Sequence, residues 1–353
     1  MCSSDLNDHD HDHDHDHVAE SPPAGVAPLA GRLRHVVQVA PGTVRRLVSA
    51  LRGVHQGDVS SYGSPRVVQG HGLAAVFQDP GRRLVDHGLP EVGSAISGYG
   101  TRHRHLVTHS HTTISALLQE HGLSPSRALG QNFVTDPNTV RRIARLADVG
   151  PNDFVLEIGP GLGSLTLALV ETGATVEAIE VDRYLLPALR SVVDAHGVTV
   201  HHADALTANY DEILHGRPTT VVANLPYNVA TPLVLHLLET VPCIERMLVM
   251  VQREVGERMA AHVGDDAYGA VSLRVDYFAE ATVVGRVPPT VFHPKPNVDS
   301  ALVALRRRSA VKIAPSVVAE DVLFDVIRTG FAHRRKMLRR TLSAWATAEH
   351  FAA

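Results

Sequence analysis

From about residue 113 onward, apolar positions fall into two alternating patterns. Short unbroken runs bounded by turn residues predict buried strands at 154–158, 175–180, 198–202, 219–223 and 246–251. Between them, apolar residues at helical spacing predict helices over 162–171, 183–195 and 232–239, and another that starts at Arg253 and carries Arg258. Alternation of this kind predicts a parallel, doubly wound α/β sheet. Segments 271–284 and 300–306 read as two more strands, an antiparallel pair closing one edge. Ahead of the first strand, Ile114, Leu117, Leu118 and Leu123 predict a short amphipathic helix. Asp136-Pro137 then opens a second helix that runs to about Ala147, with proline tolerated in its first turn. Beyond Pro315, Val318, Val322, Phe324, Ile327 and Phe331 fit one helix, and Ala332–Arg340 leads into the next. The ordered chain thus reads as a sheet domain over 113–308 and a small all-helical C-terminal domain over 315–353.

Residues 1–112 fit neither pattern. Positions 8–17 alternate Asp and His without a break, a tract that cannot bury a core. The segment holds thirteen of the 23 histidines and no lysine, unlike the rest of the chain. It reads either as translated sequence upstream of the true start or as a disordered extension.

The whole chain of 353 residues is long enough for two domains and a sizeable core. Its two cysteines, Cys2 and Cys243, stand far apart, so no disulfide framework or zinc site follows from them. No apolar run is long enough to span a bilayer, and the acidic start is not a secretory signal. Together these predict a cytoplasmic protein with no membrane partner. A formal net charge of −4 argues against general nucleic-acid binding, but the distribution is uneven. From Leu302 to the end the net charge is +6, a footprint suited to a phosphate backbone.

The candidate chemistry sits where the strands end. Strand 154–158 runs through Glu157 into Gly159, Gly161 and Gly163 and then a helix. Glycines there let backbone approach a ligand and expose N–H groups. The second strand ends in Glu180, about twenty residues past the first glycine, where an acidic group can hold ribose hydroxyls. The third is followed by Asp204, and the fourth ends in Asn224-Leu225-Pro226-Tyr227. Open α/β sheets bind ligands at these carboxyl ends. An Asn-x-Pro-aromatic turn can accept both N–H bonds of a nucleobase amine and stack a ring on the base, which points to methyl transfer and away from hydride transfer. Further on, prolines 288, 289, 294 and 296 fix an extended loop. Phe292 within it either stacks on a flipped base or plugs the core.

Three motifs carry a family resemblance: Gly130-Gln-Asn-Phe133, Asn224-Leu-Pro-Tyr227 and Phe292-x-Pro-x-Pro-x-Val-Asp-Ser300. In order and spacing the chain from about 115 to 345 resembles the ribosomal RNA adenine dimethyltransferases of the kasugamycin-sensitivity type. Val134 stands where the family more often has Leu. The Phe292–Ser300 motif and Leu225 set the chain apart from the related large-subunit methylases of macrolide resistance. The resemblance implies a Rossmann-like methyltransferase sheet that uses S-adenosylmethionine and no metal. It implies dimethylation of N6 of two adjacent adenines in a hairpin loop near the 3′ end of small-subunit rRNA, by a monomer acting on the subunit or its precursor. Carried over by position, Asn132, Val134, Gly159, Glu180, Asp204 and Asn224 would bind the cofactor. Glu180 would hold its ribose and Asp204 its adenine amine. Asn224 and the carbonyls of Leu225 and Pro226 would orient the target amine, with Tyr227 stacking on the base and Phe292 assisting.

Overall fold

The structure, a computed structural model, describes residues 109–126, 128–332, 337–343 and 345. Expectations for residues 1–108, and for Arg334, Arg335 and Lys336, fall outside the described residues. No helix among those described is long and apolar enough to cross a membrane.

The described fold begins at His109, four residues before the expected boundary at 113. Helix α1 spans His111–Glu120 and is capped by Ser110, whose Oγ accepts the Thr113 N–H at 3.3 Å. His109, just outside it, is buried, and its Nε2 lies 2.7 Å from the Leu162 carbonyl. A carbonyl only accepts, so Nε2 carries the proton. Burial lowers the pKa of this imidazole, with the Leu162 bond opposing, so the ring is neutral. Ile114 and Leu118 pack with Phe133, Leu162, Leu185 and Ala188 in a small apolar cluster beside the glycine-rich turn.

The main sheet has seven strands. They are β2 (Phe154–Ile158), β3 (Thr175–Glu180), β4 (Thr199–His202), β5 (Thr219–Asn224), β6 (Ile244–Gln252), β7 (Ala279–Val287) and β9 (Ser300–Arg307). Their order is β4-β3-β2-β5-β6-β9-β7. The first five are mutually parallel, and β9 pairs antiparallel with both β6 and β7, the expected edge pair. All five residues of β2 are buried, which is why its run reads as continuous rather than alternating. Helices α2 (Pro137–Ala147), α3 (Ser164–Val170), α4 (Leu186–Val193), α5 (Tyr210–Leu214), α6 (Ala230–Thr240) and α7 (Arg253–Met259) connect or flank these strands. From β2 the chain steps outward to β3 and β4, then returns to place β5 on the other side of β2. The crevice between β2 and β5 is therefore the topological switch point.

Three features depart from the sequence reading. Segment 271–284 is not one strand: Ala270–Phe278 forms helix α8, and β7 starts at Ala279. Its β-branched residues favour a strand, but Val271, Val275 and Phe278 share a helical face, and Ser272 accepts the Gly269 N–H while donating to the Arg258 carbonyl. Helix α5 has five residues, too few to display a period. Phe133–Val134 (β1) and Phe292–His293 (β8) pair antiparallel as a separate two-stranded sheet, so the proline-rich loop is tied back to the segment before α2.

The expected C-terminal helices are present as α9 (Glu320–Phe331) and α10 (Leu338–Thr341). Leu323, Val326, Ile327 and Leu342 join the apolar cluster that holds Phe278, Val303 and Leu305, so these helices share a core with the sheet. Four of the ten basic residues of that footprint have partners within the described fold. The Arg307 guanidinium donates to the carbonyls of Leu237, Leu238, Val241 and Ile244 at 2.6–3.1 Å, closing the end of α6. Arg308 pairs with Asp276 and Glu280, Lys312 with Asp276, and Arg328 with Asp325.

Candidate active site

Three strand tips meet at the switch point. β2 runs into Gly159–Gly163, β3 into Glu180-Val-Asp182, and β5 into Asn224–Tyr227. Residues 129–134 cross in front of them. The crevice so formed is lined by Asn132, Val134, Gly159, Glu180, Asn224, Leu225, Pro226, Tyr227 and Phe292, and also by Gln131, Glu157, Gly161 and Ser164. Every residue expected in the site is thus brought together except Asp204. That residue is exposed beyond β4, with Oδ1 accepting the Leu206 N–H at 2.9 Å.

The glycine turn is shaped by its own backbone. Gly161 has φ 58°, and a Cβ there would stand 3.0 Å from two ring carbons of Phe133. Its N–H donates to Glu180 Oε2 at 3.1 Å, while Oε1 accepts the Asp182 N–H at 2.9 Å. Glu180 is buried, and desolvation raises its pKa against those hydrogen bonds. Glu157 is the only charged residue in the β2 run and lies one position before its end. It is buried too, and desolvation, aided by the charge of Glu180, pushes its pKa up to about 8. The sequence signal for Glu157 is that lone charge within an apolar strand, which a search confined to strand ends misses.

On the other wall, Asn224 Nδ2 donates to the Asn132 carbonyl at 3.0 Å. The acceptor must face an N–H, so the amide orientation is settled and Oδ1 is the group left over. Asn132 in turn donates from its own Nδ2 to the Gly130 carbonyl at 2.9 Å. One expectation needs correction. The Pro226 carbonyl already accepts the N–H groups of Val229 and Ala230 at the start of α6, whereas the Leu225 carbonyl accepts no hydrogen bond among the described residues. Leu225, not Pro226, offers the second acceptor beside Asn224 Oδ1. Tyr227 is half-buried, with its hydroxyl 3.3 Å from Ser300 Oγ. Phe292 is 5% exposed and sits in the core cluster with Val134, Val140 and Ile143. Its backbone pairs with Val134, and Tyr227 is the more exposed of the two rings on this wall of the crevice.

Two neighbouring acceptors beside an aromatic ring, next to a glycine-rich turn and an acidic strand tip, match a known group of proteins. The model of the family described as ribosomal RNA adenine dimethylase matches residues 123–352. The chain belongs to the ribosomal RNA adenine dimethylase family. It catalyses adenine dimethylation in ribosomal RNA, with S-adenosylmethionine as methyl donor. It is 50% identical over 239 residues to a ribosomal RNA small subunit methyltransferase A from Thermobifida fusca, covering 66% of this chain and 82% of the relative. A protein of the same name from Streptomyces coelicolor is 48% identical over 231 residues, covering 64% and 79%. Among solved structures, a dimethyladenosine transferase from Plasmodium falciparum superposes with a TM-score of 0.50 at 28% identity, over 59% of this chain and 73% of that one. The 23S rRNA methyltransferase ErmE does so with a TM-score of 0.51 at 28% identity, over 62% and 86%.

The crevice of this dimethylase fits its methyl donor on physical grounds. Gly161 lets the turn backbone pass close against the Phe133 ring, where a Cβ would clash, with its N–H turned to Glu180. Buried Ser164 Oγ, on a lining residue, has no hydrogen-bond partner among the described residues, as a group awaiting a polar ligand does.

Proposed function

We propose that this chain dimethylates N6 of two adjacent adenines in a hairpin loop near the 3′ end of small-subunit rRNA. It acts as a monomer on the small subunit or its precursor in the cytoplasm. The relatives named as small-subunit enzymes support the choice of subunit. The observation that carries the site assignment is the orientation of Asn224, held by Asn132 so that Oδ1, like the carbonyl of the next residue, Leu225, is left without a partner among the described residues.

In this reading Glu180 holds the ribose hydroxyls of the methyl donor, and Gly159, Asn132 and Val134 line its cradle. Asp204, exposed at the tip of β4, meets the donor's adenine amine at the outer end. S-adenosylmethionine supplies, when bound, a methyl group made electrophilic by its sulfonium. The chain does the rest by placement. The exocyclic nitrogen of adenine is a poor nucleophile because its lone pair is delocalised into the ring. Asn224 Oδ1 and the Leu225 carbonyl accept its two N–H bonds and draw it toward a tetrahedral form, freeing the lone pair. Tyr227 stacks on the base, which must leave its own stack to arrive there. Phe292 supports the wall behind Tyr227 and ties the proline-rich loop to β1. No step requires a covalent enzyme intermediate. The domain boundaries follow the same reading, with the sheet domain carrying the chemistry and the helices from 315 onward contacting RNA.

Labelled methyl transfer into unmethylated small subunits, followed by mapping of the modified bases, tests this reading. Label in two adjacent adenines of one 3′-terminal hairpin is the expected result. Small subunits left unlabelled, with label entering large-subunit RNA offered in a parallel reaction, would overturn the choice of subunit.

A further inference from the structure

Gln131 has no part in the assignment above, yet both polar ends of its side chain are engaged. Nε2 donates to Asp182 Oδ2 at 2.7 Å, and Oε1 accepts the Ser126 N–H at 2.8 Å. Its backbone N–H donates to the Ser126 carbonyl at 3.1 Å. A donor on one side and an acceptor on the other fix the amide, because a flipped amide would lose both bonds.

Both ends of this arrangement lead to the site. Asp182 donates its N–H to Glu180 Oε1, and the other Glu180 oxygen holds the Gly161 N–H. On the opposite side, Gly130 has φ 65° and abuts the Asn224 turn, where a Cβ would stand 3.2 Å from Pro226 Cβ. Asn132, one residue beyond Gln131, holds the Asn224 amide through its carbonyl. Gln131 therefore sits between two contacts that reach the tips of β3 and β5. Those strands are not neighbours, since β2 lies between them. Two strand spacings amount to about 10 Å, so the sheet itself supplies no direct hydrogen bond between the two tips. The segment in front of them does.

We propose that Gln131 is a positioning residue that couples the two halves of the site, holding Glu180 for the methyl donor and Asn224 for the target amine in one register. The proposal rests on the reading that the donor occupies this crevice. Displacing Gln131 loosens Asp182, and through it the carboxylate that grips the ribose. It also lets residues 130 and 132 drift from Pro226 and Asn224, which blurs the acceptor pair. Donor binding and turnover then fall together, although Gln131 touches no reacting atom.

The test exchanges donor and acceptor across the Gln131–Asp182 contact in the full-length chain. Gln131→Glu keeps the side-chain length and the acceptor for Ser126 but sets carboxylate against carboxylate. It should weaken S-adenosylmethionine binding, read by calorimetry, about tenfold, the scale for losing a hydrogen bond to a charged group. Turnover at saturating donor should fall at least about threefold, and the melting temperature without ligand should fall by several degrees and return in the exchanged pair. Adding Asp182→Asn places an N–H where the acceptor was, so the exchanged pair should recover both donor affinity and turnover. Gln131→Met, which keeps the stem and loses both polar ends, should show the defect with no rescue by Asp182→Asn. Unchanged donor affinity in Gln131→Glu, or a defect that the exchange does not repair, would overturn the coupling. Glu180→Gln separates this from the wider reading. If it too leaves donor affinity unchanged, the crevice is not the donor site and both readings fall; if it abolishes binding while Gln131→Glu does nothing, only the coupling falls.

Discussion

Asn224 and Asn132, 92 residues apart, are joined by one hydrogen bond from the side-chain amide of the first to the backbone carbonyl of the second, at 3.0 Å. That bond decides which atom of Asn224 faces the crevice. Asn224→Ala should lower kcat at saturating donor by at least about a hundredfold, the scale for one preorganised polar contact that acts in the transition state. Binding to the subunit should change little, since most of that affinity comes from the phosphate backbone. Single-turnover rates with donor saturated provide the check, and near-normal turnover would remove Asn224 from its role.

Tyr227 should act through its ring. Tyr227→Phe gives up only a 3.3 Å contact with Ser300 and should keep most activity. Tyr227→Ala loses a stacking surface worth about 1–3 kcal/mol and should be nearly inactive. Equal loss in both variants would mean that the hydroxyl, not the ring, carries the function.

Glu157 gives the ligand-free protein a pH-dependent stability. Its pKa is raised from about 4.5 to about 8 by burial, so the folded state keeps a proton that the unfolded chain has released between those values. Stability therefore declines with rising pH across that window and levels off above it. Glu157→Gln carries no charge to bury and should decline less steeply, by up to about 1.4 kcal/mol per pH unit. Urea unfolding at pH 5, 6, 7 and 8 would detect this, and parallel curves for the two proteins would contradict it.

Arg307 should matter for folding rather than for RNA. Its guanidinium serves four backbone carbonyls, and Arg307→Met leaves them unpaired at a cost of more than about 2 kcal/mol. Affinity for rRNA should stay as it was. Replacing Arg334, Arg335 and Lys336 with Ala should do the reverse, flattening the salt dependence of RNA binding by up to about three units of slope. A filter-binding series across salt concentrations distinguishes the two, and an unaltered slope in the triple variant would leave those residues as a solvated surface.

His109 marks where the chain can be shortened. A protein beginning just before His109 keeps its bond to the Leu162 carbonyl and the Ser110 cap, and should melt and methylate normally. One beginning at 113 loses both and should melt several degrees lower, at about 1–2 kcal/mol for the cap and the buried hydrogen bond together. Identical melting curves for the two would show that the bond contributes nothing.

Much of the molecule was legible along the chain because the relevant signals are local. Unbroken apolar runs ending in Gly159, Glu180 and Asn224 specify buried parallel strands and the polar residues at their tips, since strand burial and turn chemistry act over a few neighbouring residues. Those signals were enough to place the main strands and to bring nearly all the expected site residues to one crevice. Where the outcome depended on distant partners, local pattern could not decide. Ala270–Phe278 carries β-branched residues, but packing against the helices α6, α7 and α9 makes it a helix. Basic character in Arg307 and Arg308 suited a phosphate backbone, yet the end of α6 and Asp276 claim both. Phe292 offered a base contact or a core plug, and its ring is buried with Val134, Val140 and Ile143 while still lining the crevice. The choice of Leu225 over Pro226 as second acceptor rests on which carbonyl the start of α6 consumes. The burial that lifts Glu157 comes from the layer covering the face of β2 that it shares with Val155. Each of these is a contest for a hydrogen bond or for solvent between residues far apart in the chain, and only their meeting in space settles it.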